Sequence, residues 1–139
     1  MKIVIDTREK EPWDLGSDSI RKCLEAGDYS VEGLEQQVAI ERKTLDDLVN
    51  TVIHNRERFL AELRKLSLYR HTCVVVEANL EDVLRRLYHS KAHPHSVFGS
   101  VLSIIVDYGI PVFFCSNRQV ACYFAKEFLQ RASRKEHVS

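Results

Sequence analysis

Hydrophobic and polar positions along the chain predict strands that alternate with helices. Residues 2–6 (KIVID), 72–76 (TCVVV) and 111–115 (PVFFC) are short apolar runs rich in β-branched or aromatic side chains. Such runs are typical of buried strands. The chain therefore contains at least three segments that we expect to lie inside a sheet.

A hairpin is predicted between the first two of these runs. Residues 29–31 and 38–40 are apolar enough to form two strands, and Glu32-Gly33 supplies the turn that joins them. If the two strands pair, the residue before the first and the residue after the second meet at one end of the hairpin.

Apolar residues recur at helical spacing in most segments between the strands. Strands alternating with helices of this length predict an α/β domain, with a parallel or mixed sheet and helices on both faces. The predicted helices cover residues 18–26 with Ser17 or Asp18 as the cap, a segment that Thr44 caps, and residues 56–68, 80–89, 96–108 and 117–133.

Composition indicates an ordinary globular domain. The 139 residues fit a single domain, with 45% apolar and 29% charged side chains. No apolar run approaches the ~20 residues that span a bilayer, and no signal peptide opens the chain, so we expect an intracellular protein without a membrane partner. The 20 basic and 20 acidic side chains cancel, which counts mildly against nucleic acid as a partner. Carboxylates concentrated at a metal site would, however, cancel basic groups elsewhere in this count, so the distribution of charge matters more than its sum.

Most of the other conspicuous residues receive structural interpretations. Trp13 is expected to close an edge of the core, although it could instead stack on a splayed base. His89, His93 and His95 lack a fourth ligand, so a polar loop is favoured over a zinc site. The cysteines are widely spaced without a CxxC pair, and we interpret all of them as small core hydrophobes: Cys23, Cys73, Cys115 and Cys122.

The hairpin carries the candidate chemistry. Asp28 precedes its first strand and Glu41 follows the apolar part of its second, so pairing would bring the two carboxylates together. Alternation along a strand puts Lys43 on the side of Glu41 and Arg42 on the opposite side. Two carboxylates form an oxygen site suited to Mg²⁺, and a nearby ammonium could orient a water or neutralise charge. A solvated hairpin with a surface ion pair stays open as the alternative.

Several ordered motifs resemble one nuclease family. VIDTRE at positions 4–9, GDY at 27–29, and ERK at 41–43 followed after three residues by Asp47 are similar to the nuclease domain of XPF-type structure-specific DNA endonucleases. The resemblance continues into residues 56–66. It implies a restriction-endonuclease-like, three-layer α/β domain with a central mixed sheet that cuts DNA with Mg²⁺ or Mn²⁺.

The resemblance also implies roles for residues. Asp28, Glu41 and Lys43 match the central catalytic positions. The metal cluster is expected to comprise Asp28 and Glu41 with Asp6 and Glu9 added. The remaining motif positions are matched by Arg42, Asp46 and Asp47, and we include Arg8, Arg42 and Asp47 in the predicted catalytic set.

Three arginines are candidate DNA contacts. Arg8 could bind the scissile phosphate or pair with Glu9 or Glu41. Arg56 and Arg58 could hold the DNA backbone, or form a solvated face that pairs with nearby glutamates. Asp47 likewise has a structural alternative, because an acid in the first turn stabilises a helix.

The segment at 96–108 is apolar nearly all round, which requires burial on more than one side. Deep burial in the domain is one solution and a subunit interface is the other. The resemblance favours a homodimer formed through the C-terminal helices, and the predicted interface residues are Val97, Val101, Ile105 and Phe124.

We therefore expect a metal-dependent DNA endonuclease that acts on branched, flapped or forked DNA in repair or recombination. The alternative is a non-catalytic DNA-binding or scaffolding subunit of a nuclease heterodimer. A Rossmann-like nucleotide-binding domain ranks lower, because no glycine-rich phosphate loop joins a strand to a helix. The sequence shows one predicted domain without helix-hairpin-helix modules, so the choice among branched substrates stays open.

Overall fold

The computed structural model describes residues 1–16 and 18–138. The strands are β1 (Ile3–Asp6), β2 (Ser19–Lys22), β3 (Tyr29–Val31), β4 (Val38–Lys43), β5 (His71–Val76) and β6 (Val112–Phe114). The helices are α1 (Leu45–Ile53), α2 (Arg56–Leu66), α3 (Leu80–Leu84), α4 (Pro94–Val106) and α5 (Arg118–Val138).

The six strands form one mixed sheet in the order β2-β1-β3-β4-β5-β6. β3 pairs antiparallel with β1 and with β4, whereas β1 with β2, β4 with β5 and β5 with β6 are parallel. Five strands consequently point the same way and β3 runs against them. The start of β3 therefore meets the ends of β1 and β4 at one end of the strands, where the candidate chemistry lies.

Helices cover both faces of this sheet, as predicted. On one face, α1 to α4 pack over β4 and β5 through side chains such as Leu48, Leu63 and Val74. On the other, α5 packs through Ala125 and Leu129, together with the loop that follows β1. The result is the three-layer α/β architecture expected of a restriction-endonuclease-like domain.

The segment at 18–26 is not a helix, contrary to the prediction. Ser19–Lys22 is instead an edge strand whose residues pair in parallel with β1, beginning at Ile3 opposite Ser19. Apolar residues at positions 20, 23 and 24 imitate helical spacing, but pairing with the open edge of β1 overrides that local preference. The suggested cap Ser17 lies outside the described residues.

Other local predictions have mixed outcomes. Thr44 does cap α1, since its hydroxyl oxygen accepts a hydrogen bond from the Asp47 N–H at 3.1 Å. The helix from Leu80 ends already at Leu84, shortly before Arg86 adopts a left-handed conformation with φ of 56°. Trp13 belongs to the core, where it stacks on Tyr29 with ring centroids 4.7 Å apart.

The prediction that all four cysteines are buried is wrong for one of them. Cys73 and Cys115 are buried and Cys122 is partly buried, but Cys23 is exposed. The error follows from the incorrect helix, because Cys23 lies just after edge strand β2 and has no helical face to turn inward.

Helix α4 divides the predicted interface residues. Val97 and Val101 are buried in the domain's own core, so neither is available to a second chain, contrary to the prediction. Ile105 is 40% exposed and Val106 is 75% exposed, so the outer side of the helix does remain apolar. Among the described residues, no helix combines the length and the apolar character needed to cross a membrane.

Candidate active site

Strand pairing brings Asp28 and Glu41 together. Tyr29 lies opposite Ile40. The next pair, toward the end of β4, is therefore Asp28 and Glu41. The Asp28 N–H donates to the Ile40 carbonyl at 2.7 Å, and an Asp28 carboxylate oxygen accepts from the Arg42 N–H at 2.8 Å. Both carboxyl groups line the same cleft.

The environment of this acid pair resists ionisation. Burial is the largest cause that raises the pKa of Asp28, to about 6, although the hydrogen bond from the Arg42 N–H opposes it. Burial also raises the pKa of Glu41 well above its usual value, and the adjacent charge of Asp28 raises it further. Two carboxylates that are disfavoured when both are charged form a site that a cation would stabilise.

Lys43 completes the arrangement on the same side of β4. Its Nζ lies 3.8 Å from Glu41 Oε2 and 4.9 Å from the centre of the Phe59 ring. The ring face attracts the ammonium and Glu41 attracts it from the other side. The positive charge is thus held beside the acid pair and is not free to extend into solvent.

An open cleft of about 400 Å³ gives access to these groups. Its floor is formed by the start of β3 and the end of β4, and its wall is formed by α1, α2 and the turn between them. The side chains and backbone that line it come from Arg8, Gly27, Asp28, Glu41, Lys43, Asp47, Asn50, Thr51, Asn55, Arg58, Phe59 and Glu62.

The family model of the ERCC4 domain matches residues 5–128 of the chain. The chain belongs to the ERCC4 domain family. The resemblance drawn from VIDTRE, GDY and ERK is therefore confirmed.

Relatives of this ERCC4 domain include archaeal proteins of greater length. It is 27% identical to the 3'-flap repair endonuclease Xpf of Saccharolobus solfataricus, over 100% of this chain and 59% of that protein. It is 31% identical, over 99% of this chain, to a Methanocaldococcus jannaschii protein that carries the provisional name ATP-dependent RNA helicase. The domain spans only 16% of that protein. It therefore covers less than two-thirds of the length of each of these two relatives.

Solved structures share the fold of the ERCC4 domain. XPF from Aeropyrum pernix superposes with a TM-score of 0.76 at 21% identity, covering 96% of this chain and 66% of that one. The same protein in complex with DNA gives a TM-score of 0.75 at 21% identity with the same coverage. The restriction-endonuclease-like fold predicted from the sequence is thereby confirmed.

Asp6 is close to the acid pair in the ERCC4 domain but is otherwise engaged. Its carboxylate accepts hydrogen bonds from Arg8 Nε at 2.7 Å and from the Leu24 N–H at 2.9 Å. Burial alone raises the pKa of Asp6, but these hydrogen bonds outweigh it and hold that pKa below its usual value. Asp6 thus fixes the Arg8 side chain at the rim of the cleft.

Glu9 points to the opposite face of the sheet. Its Oε2 accepts from the Tyr29 hydroxyl at 2.7 Å and from Arg42 Nη1 at 3.0 Å. Within residues 1–16 and 18–138 there is no group of three or more His, Cys, Asp or Glu side chains placed to hold a metal ion. The four predicted metal ligands are therefore not gathered together, and only Asp28 and Glu41 share the cleft.

Arg42 also faces away from the cleft, as strand alternation predicts. Its guanidinium bonds Glu77 at 2.8 Å, Glu9 at 3.0 Å and the Glu11 carbonyl at 2.8 Å, and lies 4.8 Å from the centre of the Trp13 ring. The side chain therefore ties the loop after β1 to β4 and to the end of β5. In this geometry its contribution to the acid pair is made by its backbone N–H.

The remaining predicted residues divide between the cleft and other surfaces. Arg8, Asp47 and Arg58 line the cleft, with Asp47 in the first turn of α1. Arg56 instead points between α2 and α4, where its Nη1 lies 3.4 Å from Ser100 Oγ. Asp46 is bonded to the backbone and ring of His89.

Six of the residues that line the cleft were not among the predicted site residues: Gly27, Asn50, Thr51, Asn55, Phe59 and Glu62. Glu62 is one of the nearby glutamates that the sequence offers as ion-pair partners for the arginines of this helix. The signal that could have found it is spacing, because positions 55, 58, 59 and 62 recur along one side of α2. That side adjoins the buried stripe of the helix, and it faces the end of the hairpin.

Proposed function

We propose that this ERCC4 domain is a metal-dependent DNA endonuclease that hydrolyses phosphodiester bonds with Mg²⁺ or Mn²⁺. The observation that carries the proposal is the meeting of Asp28, Glu41 and Lys43 at one end of an accessible cleft. Membership of a family that includes a named endonuclease supports it.

The residues present fit a divalent cation. Asp28 and Glu41 supply hard carboxylate oxygens of the kind that Mg²⁺ and Mn²⁺ prefer. The raised pKa values of both groups reflect a charge that lacks compensation, and a bound cation would provide it. When bound, such an ion polarises a phosphoryl oxygen and lowers the pKa of a bound water.

The chain's own side chains then have separate tasks. Asp28 and Glu41 hold the ion, while Lys43 donates to the attacking water or to an oxygen of the scissile phosphate and offsets developing negative charge. Arg8 and Arg58, which line the same cleft, bind neighbouring phosphates through their guanidinium groups. Such contacts add affinity without reading sequence.

Branched DNA is the substrate that we infer, in repair or recombination. The support comes from the Saccharolobus relative, which is named as a 3'-flap repair endonuclease. A homodimer built through the C-terminal helices belongs to the same proposal, with Ile105 and Phe124 as the interface residues that remain available. An intracellular location follows from the DNA substrate.

The test compares labelled flapped, forked and duplex DNA of equal length in Mg²⁺, Mn²⁺ and EDTA. We expect metal-dependent cutting by the wild-type protein, and loss of at least about a hundredfold in rate with Asp28→Ala. Asp18→Asn is the matched control. Asp18 is exposed and precedes β2, at the end of the strands that lies opposite the acid pair. DNA binding without cleavage in every metal would instead support a non-catalytic subunit.

A further inference from the structure

A glutamate of helix α2 holds the backbone at the entry to the catalytic hairpin. Glu62 Oε1 accepts a hydrogen bond from the Gly27 N–H at 2.7 Å. Gly27 is buried and immediately precedes Asp28, so this bond satisfies a backbone donor at the entry to the acid pair. A second tie lies one turn along the helix, where Lys65 Nζ approaches the Glu25 carbonyl at 3.5 Å.

The Gly27 backbone has little freedom at this point. Its φ is +79°, and a Cβ added there would lie 2.9 Å from the Ala39 Cβ. Glycine is therefore required both by conformation and by the close approach of β4. Because Gly27 is confined in this way, a bond that holds its N–H also restrains the position of the next residue, Asp28.

Asp28 itself is held by three other hydrogen bonds. Its N–H donates to the Ile40 carbonyl at 2.7 Å, its carbonyl accepts from the Asp6 N–H at 2.9 Å, and its carboxylate accepts from the Arg42 N–H. In each of these the partner atom belongs to the backbone. Glu62 instead contributes a side-chain acceptor for the N–H of Gly27, next to Asp28 in the chain, and a substitution can remove it while the backbone atoms that hold Asp28 are left unchanged.

We propose that Glu62 is a positioning residue that holds the Asp28 carboxylate in place through the hydrogen bond that it accepts from the Gly27 N–H. The inference rests on the proposed function, in which Asp28 binds the catalytic ion. Because the same helix also places Phe59 against Lys43, α2 sets the positions of the acid pair and of the ammonium together.

The hydrogen bond needs a carbonyl-type oxygen and not a negative charge. Glu62→Gln keeps such an oxygen at the same distance along the side chain, whereas Glu62→Ala removes it and leaves a buried donor without its partner. The pair of variants therefore separates positioning through the hydrogen bond from any effect of a third carboxylate on the ion.

The first measurement needs neither metal nor DNA. Protein labelled with ¹⁵N-glycine has only five glycine amide signals, so the Gly27 signal can be followed directly. We expect Glu62→Ala to shift this signal upfield and to accelerate its hydrogen exchange, while Glu62→Gln retains both properties. Glu57→Ala is the matched control, since Glu57 is exposed on the same helix and does not line the cleft.

The second measurement uses Mn²⁺ binding by isothermal titration calorimetry, together with the flap-cleavage rate. We expect Glu62→Ala to weaken both by about tenfold or more, as is usual when a residue that orients a ligand is lost. Glu62→Gln should keep most of the affinity and rate. An equal loss in both variants would overturn positioning by hydrogen bond, and so would an unchanged Gly27 signal in Glu62→Ala.

Failure of the two proposals can be told apart. A wild-type protein that neither binds Mn²⁺ nor cuts DNA contradicts the proposed function. The Gly27 amide signal and the chemical shifts of the Asp28 side chain still decide whether Glu62 holds this turn, because they are measured on the metal-free protein.

Discussion

At the scale of single residues, Asp28 and Glu41 occupy a position where the fold disfavours the charge of either. Burial raises the pKa of both, and the charge of Asp28 raises the pKa of Glu41 further, whereas the interaction with Glu41 lowers the pKa of Asp28. Lys43 and the Arg42 N–H offset only part of this cost. A site of this kind lowers the stability of the metal-free protein in exchange for affinity toward a cation.

The metal-free protein should therefore become more stable as the pH falls from 8 to about 5. The pKa of Asp28 is about 6 in the folded chain and 3.8 in its ordinary state, so the folded chain binds more protons across this interval. Glu41 shifts in the same direction. The expected gain is roughly 1–3 kcal/mol in the free energy of unfolding, measured by urea denaturation in EDTA.

Two variants test whether the acid pair causes this pH dependence of the free energy of unfolding. The double substitution Asp28→Asn, Glu41→Gln should flatten the slope of stability against pH, because neither group then titrates. His89→Gln should leave most of it, although the pKa of exposed His89 is also raised, by its hydrogen bond to Asp46. A slope that survives in the double variant would contradict the assignment. Mg²⁺ should stabilise the protein more at pH 8 than at pH 5, since it binds the ionised carboxylates.

At the scale of secondary-structure elements, the sequence predicted correctly those features that depend on residues close together in the chain. The hairpin, the Thr44 cap and the outward direction of Arg42 on β4 follow from strand alternation and turn chemistry, and the structure contains all three. Residues 18–26 failed because their conformation is fixed by pairing with β1. The partners of Glu9 could not be predicted either, since they depend on the course of an irregular loop.

Arg42 illustrates how one side chain joins several elements. It is 11% exposed, beside Glu77 at 7% and Glu9 at 17%, and it links the loop after β1 to β4 and β5. Arg42→Ala would leave two largely buried carboxylates without their cation. We expect a loss of about 3–5 kcal/mol in the free energy of unfolding, measured by urea denaturation.

Variants at this position and elsewhere sharpen the test. Arg42→Lys should fall between wild type and Arg42→Ala, because one ammonium cannot reach both carboxylates and the Glu11 carbonyl. Arg85→Ala is the control: Arg85 forms an exposed i,i+4 pair with Glu81, which is worth at most about 0.5 kcal/mol. Equal effects of the two alanine substitutions would show that the Arg42 network contributes no more than a surface pair.

At the scale of the whole molecule, the family motifs predicted the fold where periodicity alone gave only an α/β class. VIDTRE, GDY and ERK predicted that β1, β3 and β4 carry the candidate site residues, and that the site lies where these strands meet at one end of the sheet. The apolar character of α4 was ambiguous, because Val97 and Val101 fill the core while Ile105 and Val106 are exposed. A sequence shows that such a helix must be buried on several sides, but not by what.

In the proposed homodimer, we place the second copy of the chain at the β6 edge of the sheet. β6 is an edge strand with α4 against one face and, on the other, Phe124 of α5 packed on Phe113 at 4.7 Å. Both helices expose apolar side chains nearby, including Ile105 at 40% and Tyr123 at 69%. Exposed apolar side chains on both helices that flank this edge strand suit the proposed homodimer.

A charge placed in that surface should dissociate the dimer. We expect sedimentation equilibrium to give twice the chain mass for wild type and the mass of one chain for Tyr123→Asp, because the new carboxylate would be desolvated without a partner. Leu84→Asp is the matched control, since Leu84 is 65% exposed and lies on α3, outside the proposed interface. A monomeric wild type at tens of micromolar, or dissociation by Leu84→Asp as well, would contradict an interface at β6. Because the acid pair lies at the end of β3 and β4, metal binding should persist in the Tyr123→Asp monomer even where cleavage of branched DNA declines.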